Sequence, residues 1–207
     1  MKVIAVLAQK GGVGKSMLTR SLAVQALIDG RKAAIIDIDP QGSTRKWSKR
    51  RQAAAPAVVG GEDATPVVDL LADLKGRGCE LVVIDTPPHS QPSINAAAEV
   101  ADLCLVVTEP YPDDLAEVAP AVSIARRLGK DTGIVLNKTP SRAHALTLAR
   151  NALATFNVPL CPTALTHLLA HPYASGEGLT VQEREPSSKG TAELAALWQW
   201  ITQQWSL

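Results

Sequence analysis

Aromatic residues are scarce in this chain: one Phe, two Tyr and four Trp among 207 residues. A core built from it must be aliphatic rather than assembled on stacked rings. Cysteine is scarce too. Cys79, Cys104 and Cys161 are odd in number and far apart, which excludes a disulfide framework or a Cys-x-x-Cys site and reads as free thiols in a reducing compartment. The four histidines, His89, His144, His167 and His171, form no close cluster with metal-ligand spacing. No apolar run approaches the roughly 18 residues of a membrane span, and the short apolar start is not expected to be a signal peptide. Excess charge of one sign is also missing, since the net charge is +1, but its distribution is uneven. Residues 1–54 carry eleven Lys/Arg against three Asp/Glu, a local +8, and the remainder carries ten against seventeen, or −7. The positive field therefore belongs to the N-terminal part. Without internal repeats or a linker-like stretch, residues 1–207 are expected to form one domain, and that length suffices for a substantial core.

What is present is a series of short, continuously apolar runs, each followed by a helical pattern. The runs at 3–7, 33–36, 81–84, 103–107 and 133–136 are apolar on both faces, the mark of strands buried in a parallel sheet. The alternation predicts an α/β fold: a single doubly wound, mostly parallel sheet with helices on both faces. Helices are expected over 16–29, 43–55, 67–75, 94–100, 113–128, 143–156 and 191–205. A short strand is expected at 58–59 and a last one starting at 158–160. Residues 166–189, polar with Gly, Pro and Ser, read as loops; Pro56, Gly60, Gly61 and Pro66 punctuate an earlier connection.

The first strand leads into Gln9-Lys10-Gly11-Gly12-Val13-Gly14-Lys15-Ser16 and then a helix. Strand, glycine loop and helix are the setting of a phosphate-binding loop. Its glycines let successive N–H groups turn inward on anionic oxygens, and the helix adds its positive dipole end. Lys15 is placed to reach β- and γ-phosphates and the Ser16 hydroxyl to hold Mg²⁺. In the frame G-x-x-x-x-G-K-[ST] the first glycine falls on Gln9, and Lys10 is an additional lysine at the loop mouth. Downstream, 33–36 ends in Asp37-Ile38-Asp39-Pro40-Gln41, two carboxylates at a strand's C-terminal edge, where ligands bind in open α/β sheets. The run 81–84 ends in Asp85-Thr86-Pro87-Pro88, with Asp85 placed to orient Mg²⁺ through water. Asn137 closes the 133–136 run, and its amide could pair with adenine.

The order Lys-Gly-Gly-x-Gly-Lys-[Ser/Thr], Asp-x-Asp-Pro-Gln and Asp-Thr-Pro-Pro resembles the ParA/MinD-type ATPases with a deviant Walker A loop. The resemblance covers nearly the whole chain and is carried by residues 8–17, 37–41 and 84–88. It implies Mg²⁺-dependent ATP hydrolysis in a nucleotide-sandwich homodimer. Residues 10–17 would bind nucleotide: Lys10, Gly11, Gly12, Val13, Gly14, Lys15, Ser16 and Met17. Lys10 would reach the phosphates of the partner subunit, Asp39 would position or activate the attacking water, Asp37 would support the Mg²⁺ shell begun by Ser16 and Asp85, and Asn137 would contact the base. Met17 stands where the family usually has Thr, so a hydroxyl contact to the α-phosphate is lost while the backbone N–H remains.

The resemblance further implies a cytoplasmic, nucleoid-associated protein that binds DNA nonspecifically and positions plasmid or other cargo. A small centromere-binding or adaptor protein would stimulate hydrolysis. Lys189 matches one family DNA-contact position; Thr166-His167-Leu168-Leu169, at the other, has no Lys or Arg. Arg45, Lys46, Lys49, Arg50 and Arg51, with Trp47 among them, could hold phosphates or simply form a solvated face. The last helix places Leu194, Leu197, Trp198, Ile201 and Trp205 on one stripe. No Lys or Arg follows Lys189, so that stripe is expected to dock on the sheet rather than on a membrane as in MinD-like relatives. A metabolic phosphoryl-transfer enzyme on the same scaffold is the rival from another class, and it lacks a recognisable substrate domain here. An electron-transfer ATPase would need cluster cysteines that this chain does not have.

Overall fold

The computed structural model describes residues 1–60, 65–140 and 143–206, and Gly61 lies outside them. The strands are β1 (Lys2–Leu7), β2 (Ala33–Asp37), β3 (Ala57–Val59), β4 (Leu81–Asp85), β5 (Leu103–Thr108) and β6 (Asp131–Leu136). They form one sheet in the order β3-β2-β4-β1-β5-β6, and every pairing is parallel. Side chains alternate between two cores with the two-residue period of a strand. Ile4, Val6, Leu81 and Val83 enter one core, and Val3, Ala5, Leu7, Val82 and Ile84 enter the other. The first core lies under α1 (Lys15–Ile28), α2 (Ser43–Ser48), α9 (Val181–Arg184) and α10 (Lys189–Trp205). The second lies under α3 (Val67–Gly76), α4 (Gln91–Val100), α6 (Val118–Arg127) and α7 (Ala143–Ala154). The buried residues of the second core are aliphatic, as expected, but the first core also takes in Trp47 and Trp198, so the few aromatic residues are concentrated there. The chain leaves β1 toward β2 on one side and leaves β4 toward β5 on the other, so the strand order reverses beside β1. The C-terminal ends of β1 and β4 flank that crevice, where open α/β sheets bind ligands.

Several expected elements differ. The helix read over 113–128 is two, α5 (Pro112–Ala116) and α6. Pro120, in the first turn of α6, has no N–H to give the carbonyl of Ala116 and its ring would crowd that carbonyl, so the helix breaks at Glu117. The helix read over 43–55 stops at Ser48, because the next turn is fastened to another part of the chain: Arg50 donates to the Ser175 carbonyl and Arg51 to the Gly178 carbonyl. The strand expected at 158–160 is a single bridge between Leu160 and Ile134, with Pro159 unable to donate to a ladder. Residues 166–189 are not loops throughout. They include α8 (Ala170–Gly176) and α9, the latter started by a capping box in which Thr180 and Glu183 satisfy each other's backbone N–H.

The last helix docks as its stripe predicts. Leu194, Leu197, Trp198 and Ile201 are buried, and Trp198 Nε1 donates to Asp29 Oδ2 at 3.0 Å. Trp200 and Trp205 meet edge to face over Gly133, where a Cβ would come within 2.9 and 2.6 Å of their rings. The glycine in β6 thus makes room for two tryptophans on the first core. No helix among the described residues is long and apolar enough to cross a membrane.

Candidate nucleotide site

The loop after β1 is held open by its neighbours. Gly12 and Gly14 have φ of 82° and 97°, the left-handed region that glycine enters without steric cost. Gly14 is constrained twice, since a Cβ there would stand 2.2 Å from Asn137 Nδ2. Asn137, at the end of β6, donates that Nδ2 to the Val13 carbonyl at 2.7 Å, and Lys138 donates to the Gly12 carbonyl and pairs with Glu109 at 3.1 Å. The end of β6 therefore grips the outer side of the loop and leaves its inner side facing a cavity of about 310 Å³. Gly11, Gly12, Gly14, Lys15, Ser16 and Met17 line it on the loop side, and Asp39 and Gln41 line it opposite.

The two lysines of the loop do different things. Lys15 is 6% exposed, and its Nζ rests on the Lys10 carbonyl at 3.1 Å. Burial pushes its ammonium below the ordinary lysine value, against the pull of Asp85 and Asp39. Lys10 turns the other way, to Asp114 Oδ2 at 2.9 Å, with 43% of its side chain exposed. The hydrogen bond to Asp114 holds it above the ordinary value. Lys10 itself stands largely in solvent at the loop mouth, while the carboxylate it pairs with is 5% exposed.

Asp37 and Asp85 are register partners at the ends of adjacent strands. Asp37 organises the following loop. Its Oδ1 accepts from the Asp39 N–H, and its Oδ2 accepts from Thr44 and Arg45 N–H groups at 3.1 and 2.9 Å. Burial raises its pKa while those amides lower it. Asp39 is consequently swung out to the cavity, with its Oδ1 accepting from Gln41 N–H at 2.8 Å. Asp85 is fully buried, and burial pushes its pKa up to about 6. Its Oδ2 accepts from the Thr44 hydroxyl at 2.6 Å, while its Oδ1, also buried, has no hydrogen-bond partner among the described residues. The Ser16 hydroxyl acts on the same carboxylate and lowers its pKa.

A second cavity of about 350 Å³ shares Gly14 and Met17 with the first and continues past Asn137 to Thr166, His167, His171 and Ser175. One cavity faces the anion-binding loop and the other is mostly apolar, the division a nucleoside phosphate needs. Sequence reasoning assigns the stretch from 166 to 175 to loops and so misses this wall. One local signal nearby is legible, the capping box of Thr180 and Glu183 that starts α9.

The basic run at 45–51 divides. Arg51 is not available to phosphates. Its side chain is 3% exposed, forms two bonds to Glu183 at 2.9 and 2.7 Å and stacks at 4.5 Å over the buried Trp47. Arg45 donates to the Asp37, Asp39 and Pro40 carbonyls. Arg50 spends Nε and Nη2 on the Ser175 carbonyl but is exposed, as are Lys46, Lys49 and Lys189. Lys189 is 62% exposed and 3.6 Å from Glu193.

The sequence matches the CobQ/CobB/MinD/ParA nucleotide binding domain over residues 4–162. It is 30% identical over 195 residues to the maintenance of carboxysome distribution protein A of Gloeobacter kilaueensis, which covers 93% of this chain and 89% of that one. The fold is similar to that of the Pyrococcus horikoshii septum site-determining protein MinD complexed with Mg-ADP, with a TM-score of 0.79 at 19% identity over 98% of this chain and 96% of that one. It is also similar to an Asp-to-Ala variant of Cyanothece McdA in complex with ATP, with a TM-score of 0.69 at 17% identity over 100% and 97% of the two chains.

Proposed function

Because the chain belongs to the CobQ/CobB/MinD/ParA nucleotide-binding family, we propose that it is a positioning ATPase that closes into a homodimer around ATP and is reset by hydrolysis. The observation that carries this reading is the separation of the two loop lysines. Lys15 lies inside the phosphate cavity, whereas Lys10 points out of it and pairs with Asp114 instead. A lysine so placed can serve a second nucleotide, across a dimer, without being missed by its own.

In this reading the loop N–H groups and Lys15 take the phosphates, and the base enters the cavity beyond Gly14. Asn137 acts there by fixing the loop through Val13, and it borders the base. The oxygen donors fit Mg²⁺, which accepts few protein ligands and keeps waters. Ser16 would hold it directly, and Asp85, through the free lone pairs of Oδ1, by way of water. When bound, the ion neutralises charge on β- and γ-phosphate oxygens. Asp39, swung out by Asp37, orients the attacking water. Lys10 of the partner subunit adds positive charge at the γ-phosphate, so turnover depends on dimer closure.

Plasmid DNA is the cargo that the motif resemblance suggests, and the name of the Gloeobacter relative makes a large protein body another. A small adaptor protein bridging cargo and dimer would stimulate hydrolysis. For the surface on which the dimer travels, nonspecific DNA is supported by the exposed cations Lys46, Lys49, Arg50 and Lys189. Each phosphate neutralised adds about 0.9 to the salt slope for duplex DNA, and a dimer doubles the count. Mobility-shift measurements should show sequence-independent binding only with ATP, fading as salt rises. Lys189→Glu should weaken it while ATP binding survives. An ATP-bound dimer that ignores DNA at low salt would remove the nucleoid from the proposal.

A further inference from the structure

Behind the phosphate cavity, an arginine in the middle of α1 and a threonine in the first turn of α2 meet at the buried carboxylate of Asp85. Arg20 is 8% exposed, although arginine in a helix on the sheet would ordinarily face water. Its Nε donates to Thr44 Oγ1 at 3.1 Å, and its Nη1 donates to Ser175 Oγ at 2.7 Å. The Trp47 ring lies 5.7 Å from its guanidinium. Burial lowers its pKa, and the charges of Asp85 and Asp37 offset this. A guanidinium can only donate, so the Thr44 oxygen must accept from Arg20, which leaves its proton for Asp85 Oδ2, 2.6 Å away. The direction of the chain is therefore fixed: Arg20 to Thr44 to Asp85. The Thr44 backbone is held independently, by Asp37.

We propose that Thr44 and Arg20 are positioning residues for Asp85. Thr44, its oxygen held by Arg20, occupies Asp85 Oδ2 and leaves Oδ1 for the Ser16 side of the site, and the two residues so set the affinity of the site for its divalent cation. The inference rests on the reading of Ser16 and Asp85 as the residues that hold Mg²⁺. Outer partners that orient a metal-holding group are commonly worth ten- to a hundredfold in metal affinity. Without the hydroxyl, Asp85 can rotate or take its hydrogen bond elsewhere, and Oδ1 loses its fixed aim. A merely structural role, stitching α1 to α2, would instead appear as lost stability with the metal dependence unchanged.

The test uses the full chain and a fluorescent ATP analogue whose binding is titrated against Mg²⁺, with melting temperature measured alongside and Mn²⁺ binding followed by electron paramagnetic resonance. Thr44→Val keeps the branched shape and removes the hydroxyl. It should raise the cation concentration for half-maximal binding about tenfold, while nucleotide affinity in chelator stays at the wild-type value. Thr44→Ser should restore the wild-type cation dependence. Arg20→Lys, which cannot present a donor in the Nε position, should shift it in the same direction as Thr44→Val, and it carries the test alone if the valine variant does not fold. An unshifted cation dependence in Thr44→Val, or in Arg20→Lys where that stands alone, overturns the inference, as does a serine variant no better than valine. If nucleotide binding by the wild-type protein ignores Mg²⁺ altogether, the Ser16 and Asp85 reading fails and the inference falls with it. A Mg²⁺-dependent wild type with unshifted variants removes only the inference.

Discussion

Lys15→Ala is expected to abolish nucleotide binding at concentrations that saturate the wild-type protein. Lys15 is already seated in the cavity before any ligand arrives, resting on the Lys10 carbonyl. Little conformational entropy is then lost when its ammonium turns to the phosphates. Hydrogen bonds to charged groups contribute about 1.5–3 kcal/mol each, and removing two such bonds to phosphate at once lowers affinity by at least about two orders of magnitude. The substitution also leaves an electrostatic conflict. The charges of Asp85 and Asp39, which now act on Lys15, would face the phosphates unopposed. Isothermal titration with ATP and ADP measures the effect, and wild-type affinity in the variant would mean that the loop does not grip phosphates.

The second large effect is expected at the opposite wall. Asp39→Asn should lower ATP turnover by about a hundredfold or more, the usual worth of a positioned base, without weakening ATP affinity. The carboxylate lines the phosphate cavity but has no favourable business with a bound polyanion, so its loss should leave ground-state binding equal or tighter. Asparagine is the cleaner substitution because its carbonyl can still accept the Gln41 N–H that shapes the turn. Phosphate release at saturating ATP gives the turnover, and titration gives the affinity. Parental turnover would take Asp39 out of the mechanism.

Much of this site is legible in the sequence because the residues that carry it sit at the ends of strands that announce themselves. An apolar run buried on both faces, followed by Gly11 to Ser16, by Asp37 and Asp39, or by Asp85, can be placed at one edge of a parallel sheet with no coordinates. Less legible is whatever depends on which distant segment a side chain meets. Charge alone makes the 45–51 run one basic face, yet Arg51 is buried because Glu183, far away in sequence, folds back on it. Nor does the sequence show that the Asp37 carboxylate accepts backbone N–H groups from the start of α2. The 166–175 wall of the second cavity carries no periodic apolar signal, and the one helix in it, α8, is only seven residues long. Two local signals do mark departures from the expected elements: Pro120, which divides α5 from α6, and the Thr180–Glu183 capping box. Arg20 gives no sign, because an arginine within a helix reads as a solvated residue until a carboxylate and a threonine are found beneath it.

The account turns on Lys10 as a residue that serves another subunit. Its present partner, Asp114 at 2.9 Å, is not among the residues that line the phosphate cavity, and 43% of the Lys10 side chain is exposed. The direct measurement is molar mass by light scattering in Mg²⁺ with a slowly hydrolysed ATP analogue, on wild type and Lys10→Ala, with nucleotide occupancy confirmed in both. The account predicts that the wild-type protein moves from a monomer of 21.8 kDa to a dimer. Lys10→Ala should remain monomeric with nucleotide bound. A variant that dimerises like the wild type, or a wild type that stays monomeric when saturated, would contradict it.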